Sequence, residues 1–525
     1  MIEVSSVDRL VRESCAEFGD RPLLVSAEDG SVVTFRRLDS LVSRAANVFR
    51  KMGIRPGDTV SLFLRNSPGF FPPWLGAVRL GAVANPINLG LEKNIERIAY
   101  MVRKARAKVF VLERAFAETA AAVRREVPEI PIVIVDDPAR SDLDWDKAMG
   151  AASDRCETVE AKPEDPFQMI FTSGTTGLPK AVVQRHEMVT DAFALAQDHF
   201  GYRPTDTAMC VLPLFHVNAQ YTSFFPSLGL GGRTVLFEKF SAGRFFPTIA
   251  KYGVNHVSVV PSLLTRLLAH GIPERSTFPS LEYVICGAAP LTAELQREFM
   301  EKARVPVPNG WGMTETGCWG CHSDPKEVVP GSMGRALPIN EMKIVDPQTG
   351  RDLPSGEVGT LVIRGRNVFR EYFDAPEATT KAFRFGEGWF DTGDDVRQDE
   401  RGYFYFVGRG SVDTGKVDGE FVNFLHLDEK LWSHPRIQEV CCVGVPDPIR
   451  GTVVAACIVP KPPGGIDRNE VLAFARHQGF ARWEMPAYVL VVEEIPKGDT
   501  GKIQRRVMTD RAVHLLSREV IDDRR

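Results

Sequence analysis

The run Phe171-Thr172-Ser173-Gly174-Thr175-Thr176-Gly177-Leu178-Pro179-Lys180 gathers hydroxyls, two glycines and a lysine. Gly, Ser and Thr favour turns and caps over helix or strand interiors. The apolar stretch Phe167 to Phe171 leads into the run, so it is expected to be a loop leaving a strand. Gly174 and Gly177 let backbone N–H groups approach a ligand closely. Thr172, Ser173, Thr175, Thr176 and Lys180 add donors and positive charge. That is the chemistry of a polyphosphate cradle. The spacing is not that of the P-loop, which needs Gly directly before Lys and Ser or Thr after it. Here Pro179 precedes the lysine and Ala181 follows it.

A second run is Asn309-Gly310-Trp311-Gly312-Met313-Thr314-Glu315-Thr316-Gly317. Alternating glycines beside an aromatic suggest a backbone lying flat against a planar ligand. Gly287, Ala288 and Ala289, followed by Pro290, are equally small and could form the opposite wall; either run could also be a plain turn. Glu315 is a hard oxygen ligand suited to Mg2+. Just beyond it, Cys318-Trp319-Gly320-Cys321-His322 matches the pattern of c-type haem attachment. Attachment would require export, and residues 1–20 mix acid and base without an apolar core. Free thiols in a cytoplasmic protein are therefore the expectation.

These residues need a scaffold, and at 525 residues the chain is too long for one core. The length suggests about three to four folding units. A composition of 44% hydrophobic and 25% charged residues is ordinary for a globular protein. A net charge of −4 gives no reason to expect a nucleic-acid partner, and no apolar run is long enough for a membrane span. Helical stripes (Val7, Leu10, Val11, Cys15, Phe18; then Leu38 to Met52) alternate with strand-like runs at 23–25, 59–64 and 82–87. The pattern returns at 210–212, 234–237 and 257–260, which argues for α/β layers with parallel sheets. From about Gly331 short strands with Gly and Pro turns take over, at 341–345, 359–364 and 402–407. A compact α+β pattern follows, with strands at 439–445, 455–460 and 488–493 and a helix near 469–478. The domain boundary is placed near 409–413, giving domains 1–409 and 410–525.

The run 171–180 resembles the phosphate-loop signature of the adenylate-forming superfamily, which includes acyl-CoA synthetases, adenylation domains of peptide synthetases and luciferases. Further segments resemble its other motifs in the family order. Gly388-Trp389-Phe390-Asp391-Thr392-Gly393-Asp394 resembles the ribose-binding segment, which implies that Asp394 accepts bonds from both ribose hydroxyls; a carboxylate suits a vicinal diol. Phe406 and Arg409 stand where the family places residues near the nucleotide. Pro496-Lys497-Gly498-Asp499-Thr500-Gly501-Lys502 resembles the C-terminal signature with the catalytic lysine, here Lys502. Leu212-Pro213-Leu214-Phe215-His216 resembles the acyl-pocket motif, which implies that His216 gates the carboxylate or thiol route. The stretch 212–220 and Gly231-Gly232-Arg233 most resemble carnitine/crotonobetaine-type and medium- or long-chain acid ligases.

The resemblance implies a large α/β N-terminal domain, with two αβ-layered subdomains and a β-barrel-like one, capped by a small mobile α+β domain. It implies adenylation of a carboxylic acid by ATP with Mg2+, then transfer of the acyl group to coenzyme A. Gly287, Ala288, Ala289 and Asn309 to Thr314 would line the AMP site. The apolar Phe215, Val259 and Val260 suggest a sizeable hydrophobic acid, while Arg233 keeps a dicarboxylate open. The hinge departs from the family pattern: Ser411 replaces a lysine, Asp413 comes one position late, and Gly419-Glu420 follow. This departure, with Ala181 in place of a glycine, motivates two alternatives. One is an enzyme that mainly thioesterifies an acyl-AMP supplied by a separate adenylating enzyme; the other is a ligase loading a phosphopantetheinyl carrier.

Overall fold

The structure, a computed structural model, describes residues 5–172, 179–408, 413–417, 420–447, 451–462, 465–498 and 502–522. It divides into two compact units: Met1–Met342 with Ile363–Phe390, and Lys343–Val362 with Asp391–Arg525.

Two sheets organise the first unit. Strands Ile132–Val135, Ala107–Glu113, Thr59–Phe63, Val83–Pro86 and Pro166–Thr172 lie side by side in that order, all parallel, with Lys180–Arg185 added antiparallel at the edge. The second sheet has nine strands. Its centre is a parallel run of Pro22–Ser26, Arg233–Leu236, Thr207–Cys210, His256–Val259, Tyr283–Gly287 and Asn309–Trp311. These strands are buried nearly throughout, as the strands of a parallel sheet usually are. The helices begin where the sequence supplies caps: Ser6 accepts from the Arg9 amide before Val7–Phe18, and Thr34 accepts from the Arg37 amide before Phe35–Lys51. One buried ion pair staples the helical layer. The Arg79 guanidinium donates to Asp8 at 2.7 Å and to the Ser43 hydroxyl at 2.7 Å.

The second unit holds most residues of a four-stranded sheet ordered Asn340–Val345, Val358–Gly365, Phe390–Gln398, Phe404–Gly408. It also holds a three-stranded sheet in which Ile437–Asp447 pairs antiparallel with Gly451–Pro460, and Gly451–Pro460 pairs parallel with Tyr488–Val491. Helices Phe424–Trp432, Arg468–His477 and Arg505–Asp522 belong to the same unit. Cys441 and Cys442 face opposite sides of their strand and enter two separate apolar clusters. The expected α/β body and α+β C-terminal region are both present.

Candidate active site

Parallel strands present their loops at one edge, the carboxyl end, where ligands of open α/β sheets bind. The residues singled out from sequence leave the first unit's strands at that end. Pro166–Thr172 leads to the hydroxyl-rich loop, Thr207–Cys210 to the segment ending at His216, and His256–Val259 to Val260. Tyr283–Gly287 leads to Ala288 and Ala289, and Asn309–Trp311 to Glu315. Arg233 begins its strand at the opposite end, bonded to the Thr207 hydroxyl at 2.8 Å and to the Tyr252 carbonyl. It is therefore not placed to meet a second carboxylate at this edge.

Ser173, Gly174, Thr175, Thr176, Gly177, Arg409, Ser411 and Gly419 lie outside the described residues. Thr172 and Lys180 pair where the antiparallel strands Pro166–Thr172 and Lys180–Arg185 meet. The Lys180 ammonium sits 5.0 Å from the centroid of the Tyr372 ring. The Tyr372 hydroxyl donates to Glu315 Oε1 at 3.0 Å, with both side chains buried. Lysine, tyrosine and glutamate thus form one charged row joining two motifs 135 positions apart in sequence. Ala181, which follows the lysine, is wholly buried in an apolar cluster with Phe171 and Val183. Its methyl is accommodated there.

The glycines of 309–317 have an internal explanation. A Cβ on Gly310 would stand 2.2 Å from the His322 ring, and one on Gly312 1.9 Å from the Cys318 carbonyl oxygen. On Gly287 it would meet the Gly310 carbonyl oxygen at 2.7 Å. The side a Cβ would occupy is thus filled by the protein itself. Trp311 is packed the same way, its ring 2.4 Å from where a Gly320 Cβ would lie. Ala288 has φ of +65°, an uncommon conformation for a residue with a Cβ and one often found at functional sites. Asn309 is buried and donates to the Ser332 carbonyl at 2.9 Å. The Met313 amide bonds the Thr316 hydroxyl at 2.9 Å, closing the turn that carries Thr314 and Glu315. Burial pushes the Cys318 thiol up to about 12, and the Cys321 thiol is raised for the same reason. Neither is a reactive thiolate.

Several bracing residues escaped the sequence reading. Asn66 donates to the Leu212 carbonyl at 2.7 Å and accepts from the Leu214 amide at 2.8 Å, holding the His216 segment. His216 itself is half-buried, its ring 4.7 Å from that of Phe215, and it opens the helical stretch Val217–Ala219. Asn367 donates to the Thr316 and Trp319 carbonyls at 2.7 and 2.6 Å, and the Phe369 amide donates to the Glu315 carbonyl at 2.7 Å. Local sequence around Asn66, Asn367 or Tyr372 carries no motif; an aromatic and amide-bearing run at 367–373 between turns was the only available signal.

In the second unit, Asp394 is buried on the strand Phe390–Gln398, and Phe406 is half-buried on the adjacent antiparallel strand. The Asp394 amide donates to the Thr392 hydroxyl at 3.1 Å, and that hydroxyl donates to the Leu361 carbonyl at 2.8 Å. Lys502 is exposed, its carbonyl accepts from the Gly498 amide at 2.7 Å, and Lys497 and Ile503 beside them form an antiparallel bridge. Asp413 accepts from Arg505 Nε at 2.7 Å, and the same guanidinium donates to Asp428 at 2.7 Å. Glu420 begins a strand that pairs with Thr414–Val417.

Among the described residues, no group of three or more His, Cys, Asp or Glu side chains is placed to hold a metal ion. Glu315, a buried carboxylate with one oxygen steadied by Tyr372, fits Mg2+, which takes one or two carboxylates and completes its shell with phosphates and water. No helix among the described residues is long and apolar enough to cross a membrane.

Residues 11–373 match the model of the AMP-binding enzyme family, and residues 426–502 the model of the AMP-binding enzyme C-terminal domain. The crotonobetaine/carnitine–CoA ligase of Salmonella heidelberg (strain SL476) is 31% identical over 93% of this chain and 96% of its own length. The crystal structure of ATP-bound MatB from Rhodopseudomonas palustris is similar with a TM-score of 0.87, at 27% identity over 96% of this chain and 99% of the other. A Mycobacterium tuberculosis fatty acyl CoA synthetase gives a TM-score of 0.75 at 26% identity, covering 97% and 99% of the two chains. The chain belongs to the AMP-binding enzyme family of the adenylate-forming superfamily, and it is an enzyme of the acid–thiol ligase class.

Proposed function

We propose that this enzyme activates a sizeable hydrophobic carboxylic acid as its acyl-adenylate and transfers the acyl group to coenzyme A. The observation that carries the reading is the row Lys180–Tyr372–Glu315, in which one tyrosine meets an ammonium over its ring and a carboxylate at its hydroxyl, at the carboxyl edge of parallel strands. A polyphosphate and its counter-ion need that pairing. In the first step a carboxylate oxygen of the acid attacks the α-phosphorus of ATP and pyrophosphate leaves. Two anions must meet, so neutralising charge dominates the barrier. Lys502 bridges the carboxylate and the α-phosphate. Thr172, Ser173, Gly174, Thr175, Thr176, Gly177 and Lys180 hold the β- and γ-phosphates. Asp394 accepts from the ribose hydroxyls, with Phe406 and Arg409 beside the nucleotide and residues 287–289 and 309–314 along it. Mg2+ on Glu315 supplies compensating positive charge when bound.

In the second step the thiol of coenzyme A displaces AMP and forms the thioester. Rotation of the C-terminal domain, 410–525, about the segment Ser411, Asp413, Gly419 and Glu420 withdraws Lys502, and His216 gates the route to the acyl carbon. Phe215, Val259 and Val260 are buried apolar residues at the same strand ends, which supports a hydrophobic acid. The relatives' printed substrates range from carnitine to fatty acids, so the acid class rests on this chain's own residues.

The test is Lys502→Ala in two separate assays. Pyrophosphate release from ATP and acid should fall by roughly 100-fold or more, while thioester formation from synthetic acyl-AMP and coenzyme A changes by less than about tenfold. Equal losses in both assays would contradict the assignment of Lys502 to the first step. A wild type active only in the second assay would select the variant that depends on a supplied adenylate.

A further inference from the structure

We propose that three buried glutamines, Gln168, Gln184 and Gln220, form a forked relay that sets the spacing between the His216 segment and the Glu315 turn. All three are fully buried, in places where the surrounding strand sequence is otherwise apolar: Phe167-Gln168-Met169 and Val183-Gln184. Gln168 lies on the strand entering the phosphate loop, Gln184 on the strand leaving it, and Gln220 opens the π-helical turn Gln220–Phe224. Single-turn π segments cluster at functional sites.

The bonds are directional. Trp74 Nε1 donates to Gln168 Oε1 at 3.3 Å. Gln168 Nε2 then donates to two acceptors, Gln184 Oε1 at 2.6 Å and Gln220 Oε1 at 2.7 Å. Gln184 Nε2 donates to the Thr314 carbonyl at 2.9 Å, and Gln220 Nε2 donates to the Leu214 carbonyl at 2.7 Å. An indole N–H can only donate and a carbonyl can only accept, so the two ends fix the orientation of every amide. Amide oxygens and nitrogens in the fork all have partners, which makes the network rigid rather than a liability. Its two tips end beside chemistry: Thr314 directly precedes Glu315, and Leu214 stands two residues before His216. Its stem lies on the strand that leads to the phosphate loop.

A core that needed only packing would be filled by apolar side chains without ordering three amides through five hydrogen bonds. The placement of both tips on motif carbonyls assigns the glutamines a positioning role: the Gln184 arm for the nucleotide side and the Gln220 arm for the acid side. This inference rests on the ligase reading for the meaning of the two sides.

The near-isosteric variants Gln184→Met and Gln220→Met each cut one arm. Gln184→Met should raise KM for Mg-ATP by about tenfold and leave KM for the acid within about twofold; Gln220→Met should do the reverse, a tenfold change corresponding to one hydrogen bond with a buried carbonyl left unpaired. Gln168→Met should move both constants, and adding either arm variant to it should change the matching constant by less than about twofold more, as expected of coupled sites. Calorimetric binding of Mg-ATP without acid provides a readout independent of turnover. It should weaken in Gln184→Met and stay near wild type in Gln220→Met. Both arm variants shifting the two constants alike, or neither shifting either while only the melting temperature falls, would overturn the fork. If Gln168→Met does not fold, the two arm variants decide. A wild type that releases no pyrophosphate with any acid would sink the ligase reading, and Mg-ATP binding would still decide the fork.

Discussion

Replacing Tyr372 by Phe removes one oxygen atom and tests the row that joins the proposed phosphate-binding run to the proposed metal ligand. The ring stays, so its packing against Phe369, with centroids 4.7 Å apart, and its contact with the Lys180 ammonium at 5.0 Å are retained. What is lost is the 3.0 Å bond from the hydroxyl to Glu315 Oε1, made between two buried side chains. A hydrogen bond to a charged group contributes about 1.5–3 kcal/mol, and about 1.4 kcal/mol is a factor of ten. If that bond orients the carboxylate for Mg2+, kcat/KM for ATP at limiting Mg2+ should fall by roughly 10- to 100-fold. The Mg2+ midpoint should move to higher concentration. Pyrophosphate release followed across a Mg2+ titration reads both quantities. An unchanged midpoint with kcat/KM within about twofold of wild type would refute the reasoning.

Three further outcomes follow from the geometry. Gly312→Ala places a Cβ 1.9 Å from the Cys318 carbonyl oxygen, a backbone atom with little room to shift; the melting temperature should drop, reflecting about 1–3 kcal/mol or more of overpacking, and an unchanged melt would contradict the close approach. His186 accepts the Val7 amide on Nδ1 at 3.0 Å, and burial pushes its pKa down to about 4. The unfolded chain takes up that proton first, so stability is intact above about 6.5 and declines as pH falls toward about 4, by on the order of 3 kcal/mol. Denaturant melts at several pH values should show this slope, reduced in His186→Gln; an identical slope in the variant would exclude His186 as its source. Arg505→Met leaves the carboxylates of Asp413 and Asp428 without their guanidinium partner. The loss of a buried pair's cation costs about 3–5 kcal/mol, read as early proteolysis of the C-terminal region, and wild-type protease resistance would count against that pairing.

Much of the scaffold was legible because the relevant signals are local. The strand Pro166–Thr172 announced itself by an apolar run ending in hydroxyls, and the helices Val7–Phe18 and Phe35–Lys51 by their stripes and caps. The family followed from motifs in order, and the comparisons bear it out. The strand expected at 210–212 ends at Cys210 because the chain must turn at the sheet's carboxyl edge to deliver the His216 segment. Tyr372, Asn66, Asn367 and the three glutamines were not legible. Each bonds a residue 48 to 146 positions away or sits singly in an apolar run, so no spacing rule points to it. The glycines at 310 and 312 read from sequence as room for a planar ligand; the structure shows close approach of the protein's own His322 ring and Cys318 carbonyl on their Cβ sides. The helix Arg505–Asp522 went unread because its apolar residues, Val507, Met508, Ala512 and Leu515 among them, are interleaved with seven charged ones.

The most direct test of the central claim is product analysis of the wild-type enzyme with ATP, Mg2+ and coenzyme A across straight-chain and aromatic carboxylic acids. AMP, pyrophosphate and acyl-CoA should appear in equal amounts, with kcat/KM for acids of about eight or more carbons exceeding that for acetate by at least roughly 100-fold, since each buried methylene contributes about 0.8 kcal/mol. Acetate turning over better than the longer acids, or no thioester from any acid, would contradict it.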